Sequence, residues 1–289
     1  MSKAHVQYIA AMLIFGFNGI LASAIPWHSY EIVLSRTVIG SLFMLAVMLV
    51  AKRPFTFRHE MKSFKILLVG GAVMGLNWMF LYEAYNQLGV GLAQLLCCSG
   101  PAVAMFLSPF IFKEKLQRYK MLGFVAVAIG MVLTCSNDLS GGLNFGLLCG
   151  IGACLAYAGL TICNRLAPAI EGPERTMWQL AMASVVVLLF ILFKGTGAPD
   201  TFSVKILVPV LVLGMFNTGF AMNFMFTGIQ KLSSQTVGVC WYLEPMSALV
   251  FSAIFLGERM TGLQTIGVVL MLGGTAFAEL YHPKKKITA

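Results

Sequence analysis

Residues 235–256 read QTVGVCWYLEPMSALVFSAIFL, twenty-two positions carrying one formal charge, Glu244, close to the centre. A helix of that length crosses the roughly 30 Å hydrocarbon layer of a bilayer at about 1.5 Å per residue. A lone charge at that depth costs several kcal/mol unless it is paired, hydrated or protonated. The stretch therefore reads as a membrane span, and Glu244 as its first candidate for function.

The rest of the chain repeats the pattern. Of 289 residues, 58% are hydrophobic and 11% charged, where a soluble domain carries roughly a quarter charged. Apolar runs near twenty residues predict spans at 6–25, 30–51, 65–85, 90–112, 119–135, 145–164, 174–193, 206–227, 235–256 and 262–280. Runs of that length exclude a barrel of alternating ten-residue strands, and too little chain remains between them for a soluble domain. The expected fold is an all-α integral membrane protein of ten transmembrane helices. Lys3 and the run ending Ala22-Ser23-Ala24 imitate a secretory signal, but the many later spans favour an uncleaved first helix.

Cys97, Cys98, Cys135, Cys149, Cys154, Cys163 and Cys240 fall almost entirely within apolar runs, without metal-site spacing, and read as small buried hydrophobes. Four separated histidines argue against a metal centre and against an interfacial catalytic cluster, so neither cofactor nor metal is expected and an enzyme is disfavoured.

Charge placement gives orientation. With the N-terminus inside, 16 Lys and Arg residues fall on the inner side, including Lys52, Arg53, Lys113, Arg165 and Lys284-Lys285-Lys286, against 3 outside. Both termini are expected in the cytoplasm. The net charge of +9 then serves retention against anionic lipid, with no motif for nucleic acid.

An internal repeat appears at an offset of 144: Pro101 aligns with Pro245, Lys113-Glu114-Lys115 with Gly257-Glu258-Arg259, Gly123 with Gly267 and Gly130 with Gly274. Five spans per copy is an odd number, so halves 1–138 and 139–289 are expected to be inverted in the membrane. Inverted repeats let two halves exchange conformations and open alternately to either side, the main sequence argument for transport. Pro101 and Pro245, mid-span, are expected to kink their helices and free carbonyls near Cys97 and Trp241 to shape a cavity and its gates.

The chain resembles the drug/metabolite transporter superfamily, in its EamA-like ten-helix branch. The resemblance is carried by Phe15-Gly16-Phe17-Asn18, Arg36, Asn77 to Glu83, Pro101 to Glu114 and Pro245 to Glu258, and covers essentially the whole chain through its duplicated halves. It implies two inverted five-helix repeats around a cavity walled by the third, fourth, eighth and ninth helices, with parts of the first and sixth. It also implies movement of small metabolites, and by family style a bacterial inner membrane. The second copy departs at its start, with Tyr157-Ala158-Gly159 where the first has Phe17-Asn18-Gly19.

The expected substrate-binding set is Glu244, Trp241, Tyr242, Trp78, Tyr82, Asn18, Asn77 and Tyr157. Three-residue spacing makes Trp241 the better facial neighbour of Glu244 than Tyr242, and Trp78, Tyr82 and Tyr85 form one stripe on the third helix, unless Tyr85 belongs to the interfacial belt. A carboxylate among ring faces suits a cationic amine; the aromatics equally suit an aromatic metabolite. Arg36 has three readings: neutralising a substrate carboxylate, pairing with Glu83, or reaching the headgroups. Glu114 and Glu258 read as repeat-related anchors at helix ends. The chain lacks a Walker-type phosphate loop. The expectation is therefore secondary transport by alternating access, first of an organic cation such as choline, next of an amino acid or aromatic metabolite, with a proton on Glu244 the simplest coupling ion. A membrane enzyme or scaffold is the competing class.

Overall fold

The computed structural model describes residues 2–88, 90–134, 145–194, 204–257 and 261–281, and every regular element among them is helical. The first stretch gives α1 (Lys3–Phe15), α2 (Asn18–Ser23), α3 (Ser29–Val50) and α4 (Met61–Leu88). It is followed by α5 (Val90–Cys98), α6 (Gly100–Phe112) and α7 (Arg118–Thr134). The second half holds α8 (Phe145–Leu166), α9 (Gly172–Lys194), α10 (Val204–Leu211), a π-helical turn (Val212–Phe220) and α11 (Ala221–Lys231). The chain continues as α12 (Ser234–Trp241), α13 (Leu243–Phe251), a second π-helical turn (Ser252–Leu256) and α14 (Gly262–Leu280).

Local chemistry sets several starts. Ser2, Ser233 and Thr261 each accept from the backbone N–H three residues on, and Glu31 accepts from His28 N ahead of α3. Among the described residues, seven helical runs are long and apolar enough to cross a membrane: 3–23, 29–50, 61–88, 145–166, 172–194, 206–231 and 234–255. Leu96–Phe112 and Gly262–Ala278 are shorter apolar helices, and α7 has 17 residues. The chain is thus an all-α integral membrane protein. Bulky apolar side chains such as Leu42, Leu49, Val185 and Phe193 turn outward on these runs, as lipid-facing surfaces require.

Interruptions divide four of these runs. The first run breaks at Gly16-Phe17, the fourth at Ser99 and the ninth at Tyr242, while the eighth widens into the π-helical turn over Val212–Phe220. Pro101 and Pro245 each follow, by two and three residues, a one-residue interruption at Ser99 and Tyr242 where the backbone stays right-handed, as a missing proline N–H would produce in a kinked run.

Packing across the chain is close where glycines meet. A Cβ at Gly123 would lie 2.7 Å from Gly274 O, and one at Gly130 would lie 2.6 Å from Gly267 O, so α7 and α14 touch backbone to backbone. A Cβ at Gly16 would come within 2.2 Å of Ser247 Oγ, which ties the break in the first run to α13. Six cysteines are free thiols, five of them buried; Cys135 and Glu258 lie outside the described residues.

Candidate functional site

The interrupted runs converge on one cavity of about 150 Å³. Phe15 and Asn18 reach it from either side of the first break, Gln94 and Cys97 from α5, Trp241 and Glu244 from either side of Tyr242, and Met222 and Met225 from the start of α11. Uninterrupted helices supply the remaining walls: Arg36 from α3, Asn77, Trp78, Tyr82 and Tyr85 from α4, and Tyr157 from α8. Backbone irregularity at membrane depth is tolerated where it lines a cavity or is buried in protein, and here it does so.

The cavity holds one formal charge of each sign. Arg36 is buried, donating from Nε to Thr218 Oγ1 at 2.8 Å and from Nη2 to Asn18 Oδ1 at 3.4 Å, with its guanidinium 5.4 Å from the centre of the Trp78 ring. Asn217 Nδ2 holds Asn18 Oδ1 at 3.0 Å and also donates to Ile14 O. The π-helical turn brings Asn217 and Thr218 to this point together, so it serves as the anchor for Arg36. Glu244 faces the same cavity, and its Oε2 is buried without a hydrogen-bond partner. An unpartnered buried carboxylate oxygen is costly to keep, and a ligand donor would relieve it.

Most of the expected binding residues meet here. Tyr157 and Trp241 pack with ring centroids 4.3 Å apart, and Trp241 Nε1 is likewise buried without an acceptor. Tyr82 and Tyr85 meet edge to face at 5.5 Å, and Tyr85 Oη donates to Gln94 Oε1 at 2.6 Å, so Tyr85 belongs to the cavity and not to an interfacial belt. Asn77 lines the cavity but spends its amide on Ala153 O at 2.7 Å and Cys97 Sγ at 3.7 Å, which makes it a bridge between α4, α5 and α8. Tyr242 does not line the cavity. It packs against Phe124 of α7, because the step from Trp241 to Tyr242 turns it towards the opposite wall.

Of the three readings of Arg36, pairing with Glu83 is not the arrangement found. Glu83 instead pairs with Lys194, accepts from the Tyr30 hydroxyl, and lies near the ends of α4 and α9, where Lys194 also donates to Tyr30 Oη at 3.2 Å. At the other end of the bundle Glu114 pairs with Arg165 and accepts from Ser234 N at 3.1 Å, while Arg165 donates to Ser234 Oγ and lies 4.2 Å over Phe112. Burial would raise the Glu114 carboxyl, but the hydrogen bond and charge of Arg165, with the Ser234 N–H, outweigh it and hold Glu114 below the usual value of 4.5.

Sequence reasoning missed Gln94, Met222, Met225 and the role of Thr218. Gln94 alone carried a signal, as a polar side chain within the apolar run 90–112.

Comparison with known proteins gives this geometry a context. The EamA-like transporter family matches residues 2–136 and again residues 144–279. The uncharacterised transporter YxxF of Bacillus subtilis is 24% identical over 293 residues, spanning 100% of this chain and 93% of its own. The threonine/homoserine exporter RhtA of Escherichia coli is 23% identical over 249 residues, 85% of this chain and 80% of its own. One crystal structure shares the fold with a TM-score of 0.81 at 18% identity, over 96% of this chain and 98% of the other. With both halves matched separately and nearly the whole length covered, the chain belongs to the EamA-like transporter family of the drug/metabolite transporter superfamily.

Proposed function

We propose that the chain is a ten-span secondary transporter of a small zwitterionic metabolite of the amino-acid class, working by alternating access of two inverted halves, 1–138 and 139–289. The observation that carries the substrate class is the presence of Arg36 and Glu244 in one cavity, one a donor-only cation and the other a carboxylate with an unpartnered oxygen. An amino acid offers a carboxylate to the first and an ammonium to the second. A permanent cation such as choline would gain Glu244 and the ring faces but would meet the like charge of Arg36. The amino acid therefore moves ahead of choline, and a relative that exports threonine and homoserine is in keeping with it.

Several features support the inverted halves. At the 144-residue offset, Lys113 and Gly257 both end their helices in the left-handed region, with φ of 56° and 70°. The contact of Gly123 with Gly274 maps onto that of Gly267 with Gly130, as a two-fold axis between α7 and α14 would produce. The uninterrupted helices α3 and α9 are equivalent at this offset and pack against each other. Ten spans count α7, α14 and the broken fourth run with the seven long ones. Both termini are then in the cytoplasm, in a bacterial inner membrane, and Glu244 is the site at which a coupled proton would ride.

The test is isotope counterflow in proteoliposomes with threonine and with choline. Saturable threonine counterflow, abolished by Glu244→Gln and reduced by Arg36→Lys because the planar fork is lost, is the expected result. Choline flux that survives Arg36→Gln would overturn the zwitterion reading in favour of an amine, and the absence of any solute flux would overturn transport.

A further inference from the structure

A second cavity, of about 410 Å³, shares no lining residue with the first and lies between α3, α9 and the connection from α3 to α4. Its floor is Leu45 of α3 with Met177 and Ala181 of α9, and Phe55 and Phe57 stand over it. The connection is held in place: the buried Glu174 carboxylate accepts from Thr56 N and Phe57 N, each at 2.9 Å. Phe57 and Phe64 each meet Trp178 edge to face and each other at a tilt, with all three centroid distances 5.0–5.1 Å. The crevice wall is therefore built, and does not depend on a loose loop.

This crevice opens on the lipid-facing side. Leu42 and Leu49 flank Leu45 at helical spacing and are 59% and 61% exposed; Val185 and Leu188 continue the stripe of Trp178 and Ala181 and are 47% and 45% exposed. Its rim is basic. Arg58 lines it, over the Phe57 ring, and residues 51–65 carry Lys52, Arg53, Arg58, Lys62 and Lys65 against the single acid Glu60. Trp178 Nε1 is buried without an acceptor, which a lipid ester or phosphate oxygen would supply.

We propose that this crevice is a selective site for an anionic phospholipid, with one acyl chain along Leu45, Met177 and Ala181 and the headgroup phosphate at Arg58. An apolar trough ending at a cation matches a molecule that is apolar for most of its length and anionic at one end. The site is separate from the transport cavity and does not depend on which solute that cavity takes.

Quenching of tryptophan fluorescence by brominated lipids in nanodiscs tests it. Brominated phosphatidylglycerol is expected to quench a component that Trp178→Phe removes, and to compete for it about fivefold better than brominated phosphatidylcholine. Arg58→Gln, at an exposed position, is expected to bring the two lipids to parity. Equal quenching by both lipids in the wild type would mark ordinary annular contact and overturn the proposal, as would selectivity unchanged in Arg58→Gln.

Discussion

Each end of the bundle carries an ion pair, and the pairs differ in exposure. Glu114 and Arg165 keep 16% and 15% of their side chains exposed and share Ser234 at the start of α12, with Arg165 seated on Phe112. Nearby, Gln235 accepts from Gln117 N and donates to Lys115 O, and Lys120 bonds Thr236. At the opposite end Lys194 is 41% exposed and is held by Glu83 and Tyr30. Glu83, at 14%, is as shielded as Glu114 and is also bonded by Tyr30, so the contrast rests on the cation: a mostly buried, forked Arg165 makes a lock, and a half-exposed Lys194 a weaker latch. On the alternating-access reading proposed above, this difference predicts that the Glu83 end opens more readily than the Glu114 end.

Breaking the lock should have the largest effect. Arg165→Gln is expected to destabilise this state by about 2 kcal/mol, less than the loss of one partner from a fully buried pair. Thermal unfolding in detergent measures the cost. Alkylation of Cys97, which lines the cavity, by an impermeant reagent measures access, and should rise about tenfold from the Glu114 side if the equilibrium shifts by about 1.4 kcal/mol. Unchanged labelling would show that Arg165 only stiffens the fold.

The same lock has a pH signature. Because Glu114 titrates below its ordinary 4.5 in the folded state, its contribution is complete above that value and fades as pH falls through the lower folded value. The stability difference between wild type and Glu114→Gln should be flat from about pH 8 to 5 and shrink in stronger acid. A difference that grew with acid would reverse the assignment.

The latch should matter less. Lys194→Gln is expected to change stability by under about 1 kcal/mol and to speed Cys97 labelling from the Glu83 side only slightly. The smallest effect concerns the helix ends. Gly257 already suits its left-handed turn, whereas Lys113 occupies the equivalent one with a side chain; Lys113→Gly should raise thermal stability by about 0.5–1 kcal/mol. A loss instead would mean that the lysine makes contacts worth more than the backbone strain.

The helices were legible in the sequence because hydropathy and length report burial in lipid directly. The breaks were legible only where Pro101 and Pro245 mark them, while those at Gly16-Phe17 and in the eighth run were not. A π-helical turn at Val212–Phe220 differs from an α-helix in hydrogen-bond register, which leaves no mark on apolar content. Glu244 and Trp241 were found through cost and three-residue spacing, and both rules survive the break at Tyr242, which sends Tyr242 to α7. Arg36 was singled out with three readings open, because its partners Asn18 and Thr218 depend on which helices adjoin, as does the choice of Lys194 by Glu83.

The most direct test of the central claim is calorimetric binding of threonine to the purified protein beside two single-charge analogues, its decarboxylated amine and its deaminated hydroxy acid. Site recognition by Arg36 and Glu244 together predicts that threonine binds and that each analogue is weaker by at least about tenfold, roughly the worth of one charge-assisted contact. An amine that binds as tightly as threonine would contradict the account, since it would leave Arg36 without a part in recognition.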